Sequence, residues 1–120
     1  WFDGVAARYS AELNDYTSII LTRLDILDGF EMVRVCVGYQ VDGNVVEDFP
    51  TDTDVLARCE PIYEDLPGWK EPTAGATDMS QIPNEAQNYI RRLEQIIGKS
   101  VSVVSTGPSR EQTLRTDVQL

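Results

Sequence analysis

Two short segments carry the side chains best suited to chemistry, residues 22–25 and residues 105–107. Each directly follows a run of apolar, β-branched residues that is typical of a buried strand. In open α/β sheets, ligands bind outside the carboxyl ends of the strands. We therefore take both segments as candidate binding loops, with the candidate site residues Arg23, Leu24, Asp25, Ser105, Thr106 and Gly107.

The carboxylate of Asp25 is chemically suited to the recognition of guanine. It can accept hydrogen bonds from the ring N1–H and from the exocyclic amine, each contributing about 1.5–3 kcal/mol. Adenine would direct a lone pair at the same oxygens, and the unmet polar group would make its binding costly. Arg23 offers a flat cation that can lie over a purine face. Gly107 allows the backbone to approach a planar base closely, and Ser105 and its neighbours supply amides and a carbonyl.

Both segments also allow a plainer interpretation. A strand-end aspartate most often forms a turn or a cap, and a Ser-Thr-Gly-Pro run is most often only a turn. Two further groups have the same ambiguity. The carboxylates of Asp48, Asp52 and Asp54 are close in sequence, but they lack the next oxygen ligand and the glycine of a calcium loop. Glu60 and Glu64 could be imagined as an acid and a base, but nothing shows that they converge, and a solvated face accounts for them better.

Hydrophobic spacing and turn residues predict the elements that position the two loops. The first predicted element is a helix capped by Asp3 and ended by Asn14 and Asp15. A strand at residues 17–21 and a turn at Asp28-Gly29 should follow it. A second strand at residues 32–41 should lead into a hairpin turn at Asp42-Gly43, with a return arm from Val45. Next should come a short helix from Thr53 or Asp54 to Arg58, an extended segment at residues 60–66, and a loop at residues 69–80.

The clearest helix begins at Ser80 or Asn84 and ends at Gly98, which suits a C-cap. Its apolar stripe comprises Ala86, Tyr89, Ile90, Leu93, Ile96 and Ile97, with Arg91 and Arg92 on the solvated face. A strand follows at residues 101–104. The order helix, strand, hairpin, helix, strand predicts an α/β fold.

Composition narrows the class of protein. The chain has 120 residues, which suits one domain or a piece of a larger one. Its net charge of −10 argues against a nucleic-acid or anionic-membrane partner. No stretch approaches the ~20 apolar residues of a membrane span, and no leader resembles a signal peptide. The chain contains no histidine, so the usual catalytic triads and histidine metal sites cannot be built from it.

The two cysteines, Cys36 and Cys59, are unclustered and lie in strand-like and helix-like segments. We expect reduced packing residues, as is usual in a cytosolic compartment.

Sequence blocks spread over the whole chain resemble the adenylosuccinate synthetase family. They occur in the expected order from Trp1 to about Thr113, and several ordered blocks are far more specific than one short pattern. The main blocks are WFDGVAARYS, TSIILTRLDILDG, VRVCVGYQVDG, RCEPIYEDLPGW and VVSTGPSREQT.

The resemblance implies a guanine site for GTP made by both candidate loops. The family's Thr-Lys-Leu-Asp block, which contacts guanine, corresponds to residues 22–25, so Asp25 would read the base and Arg23 stands where lysine is usual. The second guanine loop of the family corresponds to Ser105, Thr106 and Gly107. The fold implied is the C-terminal portion of a larger, mostly parallel sheet with flanking helices and a β-hairpin excursion.

The family joins IMP and L-aspartate, with GTP as co-substrate and Mg²⁺ assisting, in a cytoplasmic homodimer. Its phosphate loop, catalytic residues and magnesium ligands have no match in residues 1–120. By resemblance, the chain is therefore the C-terminal guanine-nucleotide-binding portion of such a ligase, and is not expected to be active by itself. The alternative is a non-catalytic acidic interaction module on the same scaffold.

Overall fold

The computed structural model describes residues 2–15, 18–76 and 78–116. In chain order the elements are β1 (Phe2–Asp3), α1 (Gly4–Leu13), β2 (Ser18–Leu21), a first 3₁₀ turn (Leu24–Leu27), β3 (Met32–Val41), β4 (Asn44–Val46), α2 (Thr53–Ala57), β5 (Glu60–Pro67), a second 3₁₀ turn (Met79–Gln81), α3 (Asn84–Ile97), β6 (Ser100–Ser105), a third 3₁₀ turn (Arg110–Gln112) and β7 (Thr113–Arg115). The α/β class is confirmed. Trp1 and Thr17, which belong to predicted segments, lie outside the described residues.

The ends of the long helices follow local chemistry. Asp3 caps α1 as predicted, because its Oδ1 accepts a hydrogen bond from the Ala6 amide at 3.0 Å. Gly98 ends α3 with φ of 79°, a left-handed conformation that glycine adopts without cost. α3 begins at Asn84, one of the two predicted starts, and the cap position before it is held by Pro83. The fixed φ of proline already suits a helix start.

The first sheet is built around the long strand β3. Its partner β5 runs antiparallel along nearly its whole length, from Met32 opposite Pro67 to Gln40 opposite Glu60. The strands β1 and β4 pair with the other edge of β3, in parallel and antiparallel directions respectively. Asp42 and Gly43 both have positive φ, 51° and 84°. This is the geometry of a two-residue hairpin turn, and the predicted hairpin is confirmed.

The second sheet has the strand order β2, β6, β7. The pair β2–β6 is parallel, whereas β7 runs antiparallel to β6. The sequence analysis did not predict β7, because a strand of three residues has too little periodicity to recognise. Its effect is to bring the chain back beside Ser105, which pairs with Thr113.

One hydrophobic core connects both sheets with α3. Five residues of the predicted apolar stripe of α3 are buried and Ile96 is partly buried, and the stripe packs with residues of β3 and of β6 in the same cluster. The fully buried members of this cluster include Leu24, Val33, Val35, Leu93, Val101, Val104 and Leu114. Leu24 belongs to the first candidate loop, so that loop is anchored directly in the core.

Both cysteines are free thiols, Cys36 buried and Cys59 half-buried. Cys36 shares a second, smaller cluster with Val5 and Tyr39. Among the described residues there is no helix with the length and apolar character of a membrane span.

Candidate functional site

The two candidate loops lie side by side at one edge of the second sheet. The strands that precede them, β2 and β6, are parallel neighbours, and their last paired residues are Leu21 and Val104. Both strands therefore leave the sheet in the same direction, and they continue into residues 22–25 and residues 105–107. This placement gives a ligand access to both loops at the carboxyl ends of the strands, the usual binding position in α/β sheets.

Arg23 and Asp25 form a two-pronged ion pair within the first loop. The Nε of Arg23 lies 3.0 Å from Oδ1 of Asp25, and its Nη2 lies 3.1 Å from Oδ2. The Arg23 side chain is 45% exposed, whereas that of Asp25 is 20% exposed. The hydrogen-bonded guanidinium holds the pKa of the Asp25 carboxyl below its ordinary value. Asp25 is therefore a carboxylate, and an acceptor of hydrogen bonds, at neutral pH.

The backbone of this loop is strained at one residue. Arg23 has φ of 56° and ψ of 51°, a left-handed conformation that costs a residue with a side chain about 1–2 kcal/mol. The next residue, Leu24, is 1% exposed and begins the 3₁₀ turn. Strain of this kind is common at functional positions, and here the buried Leu24 holds the turn in place.

Asp28, at the end of the same turn, holds a distant loop and was overlooked at the sequence level. Its carboxylate accepts hydrogen bonds from Nε1 of Trp69 at 2.7 Å, from the Thr73 amide at 2.8 Å and from Thr73 Oγ1 at 2.9 Å. Trp69 and Thr73 are 3% and 0% exposed. The prediction of a turn at Asp28-Gly29 is correct, but it accounts for only part of the role of Asp28.

The second loop is closed by hydrogen bonds within the hairpin between β6 and β7. Ser105 Oγ donates to the carbonyl of Gly107 at 2.9 Å. The buried Thr106 donates to the Gln112 carbonyl from its amide at 2.7 Å and from its Oγ1 at 3.2 Å. At Gly107 an added Cβ would lie 2.2 Å from the end of the Gln112 side chain, which would have to move to accept it.

Gln112 also fixes the tip of this loop, a role that the sequence analysis missed. Its Oε1 accepts hydrogen bonds from the Ser109 amide at 3.1 Å and from Ser109 Oγ at 2.8 Å. A readable signal was present, since Ser109 followed three residues later by Gln112 is a capping-box pattern.

A cleft of about 470 Å³ adjoins the first loop. Its lining is mainly apolar and comprises Phe2, Leu21, Thr22, Arg23, Leu24, Ile26, Leu27, Phe30 and Tyr89. Its volume is in the range of small-molecule sites. Asp25 and residues 105–107 are absent from this lining, whereas Arg23 belongs to it.

Two of the remaining polar candidates, Asp52 and Glu64, have structural partners. Asp52 caps α2, with its Oδ1 accepting from the Asp54 amide at 2.8 Å. Glu64 forms a bidentate ion pair with Arg92, at 2.6 and 2.8 Å, which links β5 to α3. Within residues 2–15, 18–76 and 78–116, there is no group of three or more metal-binding side chains.

A model of the adenylosuccinate synthetase family matches residues 1–114. The chain belongs to this family. It is 46% identical over 114 residues to the adenylosuccinate synthetase of Coxiella burnetii strain RSA 493 / Nine Mile phase I, and equally to that of Polynucleobacter asymbioticus. In both comparisons the match covers 95% of the chain but only 26% of the relative. The chain thus spans about a quarter of the length of these adenylosuccinate synthetases.

The fold agrees with the same family. A solved structure of fully ligated adenylosuccinate synthetase from Plasmodium falciparum matches with a TM-score of 0.91 and 27% sequence identity. The superposition covers 98% of this chain and 28% of that structure. The resemblance read from the sequence blocks is confirmed.

Proposed function

We propose that residues 1–120 form the C-terminal, guanine-nucleotide-binding portion of a GTP-dependent ligase. This ligase joins IMP and L-aspartate to form adenylosuccinate, a step of AMP biosynthesis. The observation that carries the proposal is the parallel pairing of β2 and β6, which places the Asp25 turn next to residues 105–107. Membership of the adenylosuccinate synthetase family supports it.

In the proposed complex, Asp25 reads the edge of the base. Its carboxylate accepts one hydrogen bond from the ring N1–H of guanine and one from the exocyclic amine. Both hydrogen bonds require an ionised acceptor, and an aspartate carboxyl is ionised at neutral pH. Ser105, Thr106 and Gly107 would face the other side of the base, on the basis of family membership.

The rest of the reaction depends on residues beyond this chain. We place the magnesium ligands and the phosphate-binding groups in another part of the enzyme, on the basis of family membership. IMP and L-aspartate would bind there as well. A cytoplasmic homodimer completes the proposal, on the basis of family membership.

The substitution Asp25→Asn tests whether Asp25 recognises the guanine base. The amide replaces one acceptor with a donor, so it cannot receive both guanine N–H groups, but it matches the carbonyl at position 2 of xanthine. In the full-length ligase we expect kcat/KM for GTP to fall by about tenfold to two-hundredfold, which corresponds to a loss of about 1.5–3 kcal/mol. Activity with xanthosine triphosphate should rise, and the affinity for IMP should stay constant.

Asp65→Asn is a matched control, because Asp65 also pairs with an arginine, Arg34 at 2.9 Å, on the first sheet. It should leave kcat/KM for GTP unchanged. If Asp25→Asn behaved like this control with both nucleotides, the guanine site would have to lie elsewhere.

A further inference from the structure

Both carboxylate oxygens of Asp25 are already engaged by a donor from the chain itself. The Arg23 guanidinium meets them with two N–H groups, at 3.0 and 3.1 Å, in the bidentate arrangement that arginine makes with carboxylates. These are the two oxygens that a guanine base needs. In this structure, therefore, the Arg23 guanidinium already occupies the carboxylate that would recognise guanine.

The guanidinium and the guanine edge present the same pattern of donors. Guanine offers N1–H and one N–H of its exocyclic amine, side by side and in one plane. Arginine offers Nε–H and one Nη–H, also side by side and in one plane. A lysine ammonium is a single point charge and cannot reproduce this pattern. Adenine offers no such pair of donors at the corresponding edge.

We propose that the Arg23 guanidinium competes internally with the guanine edge for Asp25, and that nucleotide binding exchanges one for the other. Arg23 is then a residue that sets the affinity for guanine nucleotides. This inference rests on the proposed function, because it takes Asp25 as the base-reading carboxylate.

The surroundings of Arg23 permit the exchange. Its side chain is 45% exposed, so the displaced cation can remain in contact with water. Arg23 also lines the apolar cleft of about 470 Å³. When the guanidinium leaves Asp25, the aliphatic part of the Arg23 side chain can therefore lie against an apolar surface. The buried Leu24 keeps the backbone of the turn fixed while the side chain moves.

The substitution Arg23→Lys in the full-length ligase tests the exchange. It keeps the charge and the stem but removes the paired donors. The dissociation constant for GDP should fall about two- to fivefold, the range expected when a surface ion pair no longer has to be broken. The dissociation constant for ADP should not change, since adenine does not displace the guanidinium. In the Asp25→Asn background, Arg23→Lys should have no effect on GDP binding.

Arg8→Lys is a matched control, because Arg8 forms an exposed ion pair with Glu12 on α1 at 3.1 Å. It should alter neither dissociation constant. A second readout is the Nε–H resonance of Arg23 in protein labelled with ¹⁵N-arginine. This proton should be protected from exchange in the free enzyme and exposed after GDP is added.

Two results would overturn the inference while leaving the guanine site intact. One is a dissociation constant for GDP that is unchanged or raised in Arg23→Lys, although Asp25→Asn still weakens GDP binding. The other is an Arg23 Nε–H resonance that stays protected in the GDP complex. If Asp25→Asn left GDP binding unchanged, the proposed function itself would fail, and the exchange with it.

Discussion

At the scale of single residues, one or two residues hold the conformation of each candidate loop. In the first loop, the left-handed Arg23 and the buried Leu24 define how the turn leaves β2. In the second loop, Gln112 accepts hydrogen bonds from Thr106 through its carbonyl and from Ser109 through its side chain. Because Gln112 lies after the loop in sequence, it closes the loop as the hairpin between β6 and β7 forms.

Removing the Gln112 side chain should loosen the tip of the second loop. In Gln112→Ala, the Ser109 amide and hydroxyl lose their shared acceptor, as when a helix cap is lost. We expect the free energy of unfolding to fall by about 0.5–2 kcal/mol and the Ser109 amide to exchange its hydrogen faster. Gln112→Glu keeps an acceptor oxygen and should retain slow exchange. Equal exchange rates in all three proteins would show that the Gln112 side chain does not hold the tip.

At the scale of elements, Asp28 joins the first 3₁₀ turn to the loop after β5. It connects residues separated by 41 and 45 positions in the sequence, Trp69 and Thr73. Trp69 in turn packs against Tyr89 of α3, with ring centroids 5.7 Å apart. This polar contact adds to the packing of Leu24 in attaching the turn that carries Asp25 to α3.

The substitution Asp28→Asn should weaken this attachment. It preserves size but removes the charge and one acceptor, so the amide cannot satisfy the Thr73 amide, the Thr73 hydroxyl and the Trp69 indole together. We expect the free energy of unfolding to fall by about 1.5–3 kcal/mol, measured by urea denaturation with tryptophan fluorescence. Asp48→Asn, at an exposed position, should change it by less than about 0.5 kcal/mol. Similar values for the two variants would contradict the role given to Asp28.

At the scale of the whole molecule, α3 connects the two sheets, and one ion pair attaches α3 to the first of them. The buried stripe of α3 packs with strands from both, and Arg92 on its outer side reaches Glu64 of β5. The hydrogen-bonded guanidinium lowers the pKa of Glu64 below its ordinary value of about 4.3. The contribution of this pair to stability is therefore present above that pH and is lost as the pH falls through the lowered pKa.

This dependence on pH can be measured with Glu64→Gln. At pH 7 we expect the variant to be less stable than the parent protein by about 0.5–1 kcal/mol, since both groups are about one-third exposed. The difference should shrink as the pH falls through the lowered pKa of Glu64, because the carboxyl then takes up a proton in the parent protein too. Glu60→Gln, on the same strand, should show no such trend. A difference that stays constant from pH 7 to pH 3 would rule out the ion pair as its cause.

The sequence alone determined the features that depend on neighbouring residues. The cap at Asp3, the hairpin turn at Asp42-Gly43 and the end of α3 at Gly98 follow from interactions spanning a few residues, which composition and spacing record directly. The placement of Asp25 in a turn shortly after a strand could be predicted for the same reason. Ordered sequence blocks also sufficed to identify the family.

The tertiary structure alone decided which distant groups meet. The neighbouring ends of β2 and β6, the contact of Asp28 with Thr73 and the closure of the second loop by β7 all join segments far apart in the sequence. The pairing of Arg23 with Asp25 is local, yet it depends on a left-handed backbone that the buried Leu24 holds. Such contacts are fixed by packing of the core, and residue spacing along the chain carries no direct record of that packing.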